Sequence, residues 1–145
     1  MIAPPLPNSE LAVVANQPSS SAKIRVDGVD WTKKRKTLVL AISSTCHFCT
    51  ESAPFYRQLA EAHENTQLIA VLPQPVTEGR RYVNGLGLEV DDVLQVPLNS
   101  INVSGTPTLL LVNRDGDVMG TWVGRLPADQ EAEVLTQLKA GNVQN

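Results

Sequence analysis

The spacing of apolar positions changes several times along the chain, and each change marks an element. From Lys23 onward, Ile24 and Val26, the dipeptide Asp27-Gly28, and then Val29 and Trp31 predict a small hairpin with a turn dipeptide at its middle. Leu38-Val39-Leu40-Ala41-Ile42 is continuously apolar, which suits a strand covered on both faces. The period then becomes helical. Phe48, Ser52, Phe55, Leu59 and Ala62 form one stripe and Cys49, Ala53, Tyr56 and Ala60 the next, while Glu51, Arg57, Gln58, Glu61 and Glu64 face elsewhere. Pro54 falls inside this helix, removing a backbone donor and bending the axis.

Leu68 to Leu72 predicts a second buried strand, closed by Pro73 and Pro75. Thr77 is placed to cap a short helix through Asn84, ended by Gly85 and Gly87, and Val93 to Val96 predicts a short strand. Thr108 to Val112, the turn Asn113-Arg114-Asp115-Gly116, and Val118 to Val123 form an antiparallel hairpin. The last helix has Pro127 near its start, Asp129 and Glu131 in its first turn, Val134, Leu135 and Leu138 inward, and Gly141 as terminator. Strands that alternate with helices and finish in a hairpin plus helix predict a three-layer α/β domain over residues 23–141. Residues 1–22, with Pro4, Pro5, Pro7, Pro18 and Ser19 to Ser21, predict a flexible linker, and residues 142–145 a tail. The first segment lacks the basic start and apolar core of a secretory signal, so any targeting segment is expected outside this chain.

The 145 residues suffice for one core without multiple disulfide staples. A formal net charge of -3 gives no reason to expect nucleic acid or an anionic membrane surface as partner. The one basic run, Lys33 to Lys36, reads as solvation of the turn before a buried strand. No apolar stretch reaches the roughly 18 residues that would span a bilayer, so direct membrane insertion is not expected.

The two cysteines of the chain stand together in Cys46-His47-Phe48-Cys49, where the strand gives way to the helix. One helical turn separates the sulfurs, so they can close a small disulfide. The helix N-terminus stabilises negative charge on the first of them, which makes Cys46 the expected nucleophile. His47 is placed to tune that thiol: protonated and near Cys46, it lowers the thiol pKa and stabilises the reduced form; neutral and turned to solvent, it is passive. Phe48 is expected at the rim, offering apolar contact to a protein substrate. His63, late on the helix, is read as a surface or boundary residue without a chemical role.

Two separated blocks resemble the thioredoxin superfamily. The first is the strand, Cys46-x-x-Cys49 and the helix with Pro54; the second is Val103-Ser104-Gly105-Thr106-Pro107-Thr108-Leu109-Leu110-Leu111, with Asp115-Gly116 and Val123-Gly124 after it. The resemblance implies a thioredoxin-like α/β/α sandwich with a mixed central sheet. It also implies a cis Thr106-Pro107 bond across from the cysteines, and Thr106 and Pro107 as backbone for a substrate segment. The long span between Cys49 and Pro107, the Val76 to Val96 region within it, and the N-terminal hairpin are similar to the TlpA and ResA redoxins, which carry an added strand and helix there. That likeness implies a thiol-disulfide oxidoreductase, a TlpA-like reductant, with no cofactor and no metal. Its partners would be protein disulfides or dithiols and an upstream electron donor or acceptor. With the Pro/Ser-rich segment ahead of the domain, the likeness favours a periplasmic or membrane-tethered location over the cytoplasm.

Several positions depart from the family pattern. Thr45 stands where thioredoxins place a Trp, Leu40 where they bury an acid, and Ser52 where TlpA-like proteins often have Glu. Glu51 is one step earlier and reads as a residue favoured by the helix dipole. The expected chemistry is attack by Cys46 on a substrate disulfide and release by Cys49, the more buried thiol of higher pKa. Three other readings stay open. One is a metal module using Cys46, Cys49 and His47 or His63, although structural zinc generally takes four ligands. Another is a peroxiredoxin-like peroxidase, although Val39 stands where that motif has Pro, with Ser43 in its Thr/Ser place. The third is a noncatalytic docking domain whose cysteines form a structural bond of little entropic value.

Overall fold

The apolar run ahead of the cysteines becomes the centre of the sheet. In the computed structural model, which describes residues 23–62 and 65–143, the elements are β1 (Lys36–Ala41), α1 (His47–Glu51), α2 (Ala53–Glu61), β2 (Thr66–Leu72) and α3 (Val76–Gly85). They continue as β3 (Asp92–Gln95), a 3-10 turn (Leu98–Ile101), β4 (Thr108–Val112), β5 (Val118–Val123) and α4 (Ala128–Val143). The strands lie in the order β3-β2-β1-β4-β5. β2 is parallel to β1 and β3 to β2, while β4 is antiparallel to β1 and β5 to β4, so the sheet is mixed. β1, β2 and β4 are buried along their whole length, as an apolar run without alternation requires.

The two faces are covered differently. On one, Leu38, Leu40, Leu68 and Leu72 meet side chains from all four helices, among them Cys49, Phe55, Val83 and Val134. On the other, Val39, Ala41, Ile69 and Val112 are covered by Ile24 and Val26 and by Ile101 and Val103 around the 3-10 turn. The thioredoxin-like α/β/α arrangement is present, and among the described residues the 3-10 turn is the helical element on this second face. Complete burial of each such aliphatic side chain contributes about 1.5–3 kcal/mol.

Local details refine the expected elements. The N-terminal hairpin is a tight turn: Gly28 has φ +89°, and the Val29 N–H donates to the Val26 carbonyl at 3.2 Å. No ladder forms between its arms. Lys23 instead bridges Asp117, and the Ile24 N–H donates to the Gly116 carbonyl at 3.0 Å, because seating Ile24 and Val26 on the sheet outweighs pairing two short arms. Thr77 does not cap α3. That helix starts one residue earlier behind Pro75, whose carbonyl accepts from the Gly79 N–H at 2.9 Å. Its end follows the glycine signal: Gly87 has φ +76°, and the Gly87 and Leu88 N–H groups donate to the Asn84 and Val83 carbonyls. Gly141 does not stop α4, which runs on to Val143; one interior glycine costs a helix only about 1 kcal/mol. The expectations for residues 1–22 and for His63 lie outside the described residues.

Candidate active site

β1 and β4 run antiparallel with Ala41 opposite Thr108, so the chain leaving β1 and the chain entering β4 meet at one end of the sheet. The first leads to Cys46 and the second comes from Pro107. Between β1 and α1, the loop is tied to the inserted element. The Ser44 N–H donates to Gln74 Oε1 at 3.2 Å, Gln74 Nε2 donates to Ser43 Oγ at 3.0 Å, and Ser44 Oγ donates to Glu78 Oε2 at 2.7 Å. One turn further, the Thr50 and Tyr82 hydroxyls lie 2.8 Å apart.

Cys46 is the N-cap of α1, in extended backbone with φ -93° and ψ 114°. Its Sγ accepts the Cys49 N–H at 3.1 Å, the place a Ser or Asp oxygen ordinarily fills. The cap donor and the positive end of the helix therefore act on the sulfur itself. Cys46 and Cys49 are joined as a disulfide, with Cα atoms 5.3 Å apart. Cys46 is half-buried, whereas Cys49 has no exposed surface and packs in the cluster that holds Leu40 and Phe55. The position of the usual buried acid is thus an apolar wall.

His47 points outward with its side chain 74% exposed, and its Nε2 lies 2.8 Å from Glu51 Oε2. The other oxygen of Glu51 accepts from Arg125 Nη1, also at 2.8 Å. Arg125 follows Gly124, which has φ +83° and donates its N–H to the Pro107 carbonyl at 2.7 Å. The Thr106-Pro107 bond is cis, Pro107 is buried, and the Thr108 hydroxyl donates to the Gly105 carbonyl at 2.7 Å. A run of contacts therefore joins the cysteine helix to the proline loop through Glu51 and Arg125. Phe48 is 52% exposed and meets the His47 ring edge-on, with centroids 5.4 Å apart.

The expected kink is a complete break. α1 stops at Glu51, Ser52 intervenes, and α2 starts with Ala53 and Pro54. Ser52 is buried, and its hydroxyl makes no hydrogen bond of normal geometry. Tyr56, one turn on, is pushed well up in pKa by burial, so its phenol stays protonated. Among the described residues no three His, Cys, Asp or Glu side chains stand together as a metal site.

The sequence pattern missed Gln74, Glu78, Tyr82 and Arg125, and read Glu51 only through the helix dipole. His47 and Glu51 stand at i and i+4, so their contact was readable. Arg125 is 74 positions from Glu51, and no local signal joins them.

A mixed sheet with a capped cysteine pair at one end and a cis proline beside it defines a thioredoxin-fold protein with a redox-capable disulfide. A family model described as a thioredoxin-like domain matches residues 30–139, and the chain belongs to that family. None of the curated proteins compared matches it. Among solved structures, it is similar to that of a protein described as a thiol:disulfide interchange protein DsbE, from Chlorobium tepidum. That likeness has 25% identity and a TM-score of 0.61, over 74% of this chain and 81% of the other. StoA from Bacillus subtilis gives 23% identity and a TM-score of 0.57 over 70% and 82%. A secreted Mycobacterium tuberculosis disulfide oxidoreductase, described as homologous to Escherichia coli DsbE, gives 18% and 0.57 over 73% and 81%. These last two bear on the fold alone. Among the described residues no helix is long and apolar enough to cross a membrane.

Proposed function

We propose that this chain is a thiol-disulfide oxidoreductase that reduces protein disulfides through Cys46 and Cys49, in the manner of a TlpA-like redoxin. The observation that carries the reading is the asymmetry of the pair. Cys46 is half-buried, with its Sγ capped by an amide hydrogen, while Cys49 has no exposed surface. In the reduced protein the Cys46 thiolate attacks one sulfur of a substrate disulfide; that bond breaks and the other substrate sulfur leaves as a thiolate that takes a proton. Cys49 then loses its proton and attacks Cys46 Sγ, forming the Cys46–Cys49 bond and expelling the second substrate thiolate. Two electrons pass to the substrate, and an upstream dithiol restores the pair. Run backwards, the same steps oxidise a dithiol.

Exposed Phe48 supplies apolar contact for a protein substrate, and Thr106 and Pro107 supply a backbone edge beside it. His47 tunes the Cys46 thiolate. The likeness to the Chlorobium protein, described as a thiol:disulfide interchange protein, supports the reaction class. The test is an equilibrium titration of the pair against thiol buffers, read by alkylation and mass. A reversible two-electron transition is expected, near the thioredoxin-like value of about -270 mV; a value near about -120 mV would reverse the direction to oxidation. In parallel, Cys49→Ser should accumulate a Cys46-linked mixed disulfide. Absence of any reversible transition overturns the reading.

A further inference from the structure

We infer that Glu51 is a positioning residue that sets the reducing power of the pair by holding His47, and that Arg125 holds Glu51 in place for this. The inference rests on the exchange reading above. One carboxylate serves two partners, with Oε2 on His47 Nε2 and Oε1 on Arg125 Nη1, each at 2.8 Å. The Glu51 side chain is 35% exposed, so it is more confined than the His47 ring, which is 74% exposed and has no other hydrogen-bond partner among the described residues. The ring stands at the first position of α1, adjacent in sequence to the N-cap Cys46, so once the disulfide opens it has, on this inference, two competing acceptors, the Glu51 carboxylate and the Cys46 thiolate. In the oxidised protein it lies on the carboxylate.

The sign follows from which state each partner favours. A protonated imidazole turned to Cys46 stabilises the thiolate, hence the reduced form, and makes the disulfide more oxidising. A carboxylate that keeps this ring for itself, and adds its own negative charge one turn from the sulfur, does the reverse. Glu51 therefore keeps the disulfide less oxidising, which is what a reductant requires. Arg125 anchors the carboxylate from the loop that hydrogen-bonds Pro107, so the tuning element is tied to the substrate-facing wall as well as to the helix.

The test is the same equilibrium titration applied to Glu51→Gln, His47→Asn and the double variant. Glu51→Gln removes the charge and keeps the shape, so the fold is expected to persist, with an unchanged thermal midpoint as the check. Its equilibrium constant for reduction by glutathione should rise about three- to tenfold, which is about 15 to 30 mV toward more oxidising potentials. In the His47→Asn background the same change at position 51 should move the constant less than about twofold, because the group through which Glu51 acts is gone. No shift in Glu51→Gln overturns the inference. An undiminished shift in the double variant also overturns it, since Glu51 would then act as a bare charge. A wild-type chain with no reversible transition defeats the exchange reading, whereas a normal wild-type transition with a silent Glu51→Gln defeats this inference alone.

Discussion

The cysteine helix is held from two sides, and the two sides are built from different chemistry. Toward α3, the donors are neutral hydroxyl and amide groups, one of them on a carboxylate: Ser43 and Ser44 with Gln74, Ser44 on Glu78, and Thr50 with Tyr82. Toward α4, the contact is a chain built on an ion pair, with His47 on Glu51 and Glu51 paired to Arg125. Neutral donors respond little to the charge on Cys46 or to salt, whereas charged groups respond to both. On the inference above, the α3 side fixes where the sulfur stands, and the Arg125 side sets how readily it carries a negative charge. Both are needed because a helix of five residues is too short to be stable alone.

Gln74→Ala is the most severe test of this division. Gln74 is half-buried and bridges the Ser44 N–H and the Ser43 hydroxyl, so truncation removes the partner of the Ser44 N–H and leaves Ser43 Oγ with Thr45 alone. A loss of about 1–3 kcal/mol is expected in urea denaturation, with slower exchange and a potential close to wild type. An unchanged midpoint would show that the loop before Cys46 does not depend on the inserted element.

Smaller effects separate the two sides by their response to salt. Tyr82→Phe removes one exposed hydroxyl contact and Arg125→Gln one exposed ion pair, and each should cost about 0–1 kcal/mol. Titrations at low and high ionic strength tell them apart. Arg125→Gln should shift the potential at low salt and converge on wild type near 1 M, where the screening length is about 3 Å. Tyr82→Phe should match wild type at every salt concentration. A salt-dependent potential in Tyr82→Phe would erase the distinction between the two sides.

What the sequence made legible follows the same division between local and distant causes. The apolar run of β1, the helix start at the cysteines, an interruption at Pro54 and the glycine end of α3 are each set by neighbours along the chain, and each was readable, whereas the sulfur cap and the division into two helices were not. Thr77 misled because a capping residue competes with a starting proline, and the backbone carbonyl of Pro75 met the need. What covers the second face among the described residues was hidden because Val39 and Ala41 are apolar, as Leu38 and Leu40 are. Such a run says that both faces are covered, and leaves open whether by a helix or by Ile24, Val26 and a 3-10 turn. Arg125 and Gln74 were invisible for a further reason: surface polar residues carry no period, and only the crossing of the chain brings them to the site.

Ser52 lies between the two sides and belongs to neither, which makes Ser52→Ala the finest of these tests. Its hydroxyl is buried at the break between α1 and α2, has left water, and makes no hydrogen bond of normal geometry in return. Deleting it removes an uncompensated desolvation cost and leaves a cavity no larger than one oxygen. The variant should therefore be as stable as wild type or more stable by up to about 1 kcal/mol in urea denaturation, with the same potential. A loss greater than about 1 kcal/mol would mean that Tyr56 engages the hydroxyl, and that the break is held by a buried polar contact as well as by packing. A changed potential would extend the tuning apparatus inward from Glu51 to the core behind Cys49.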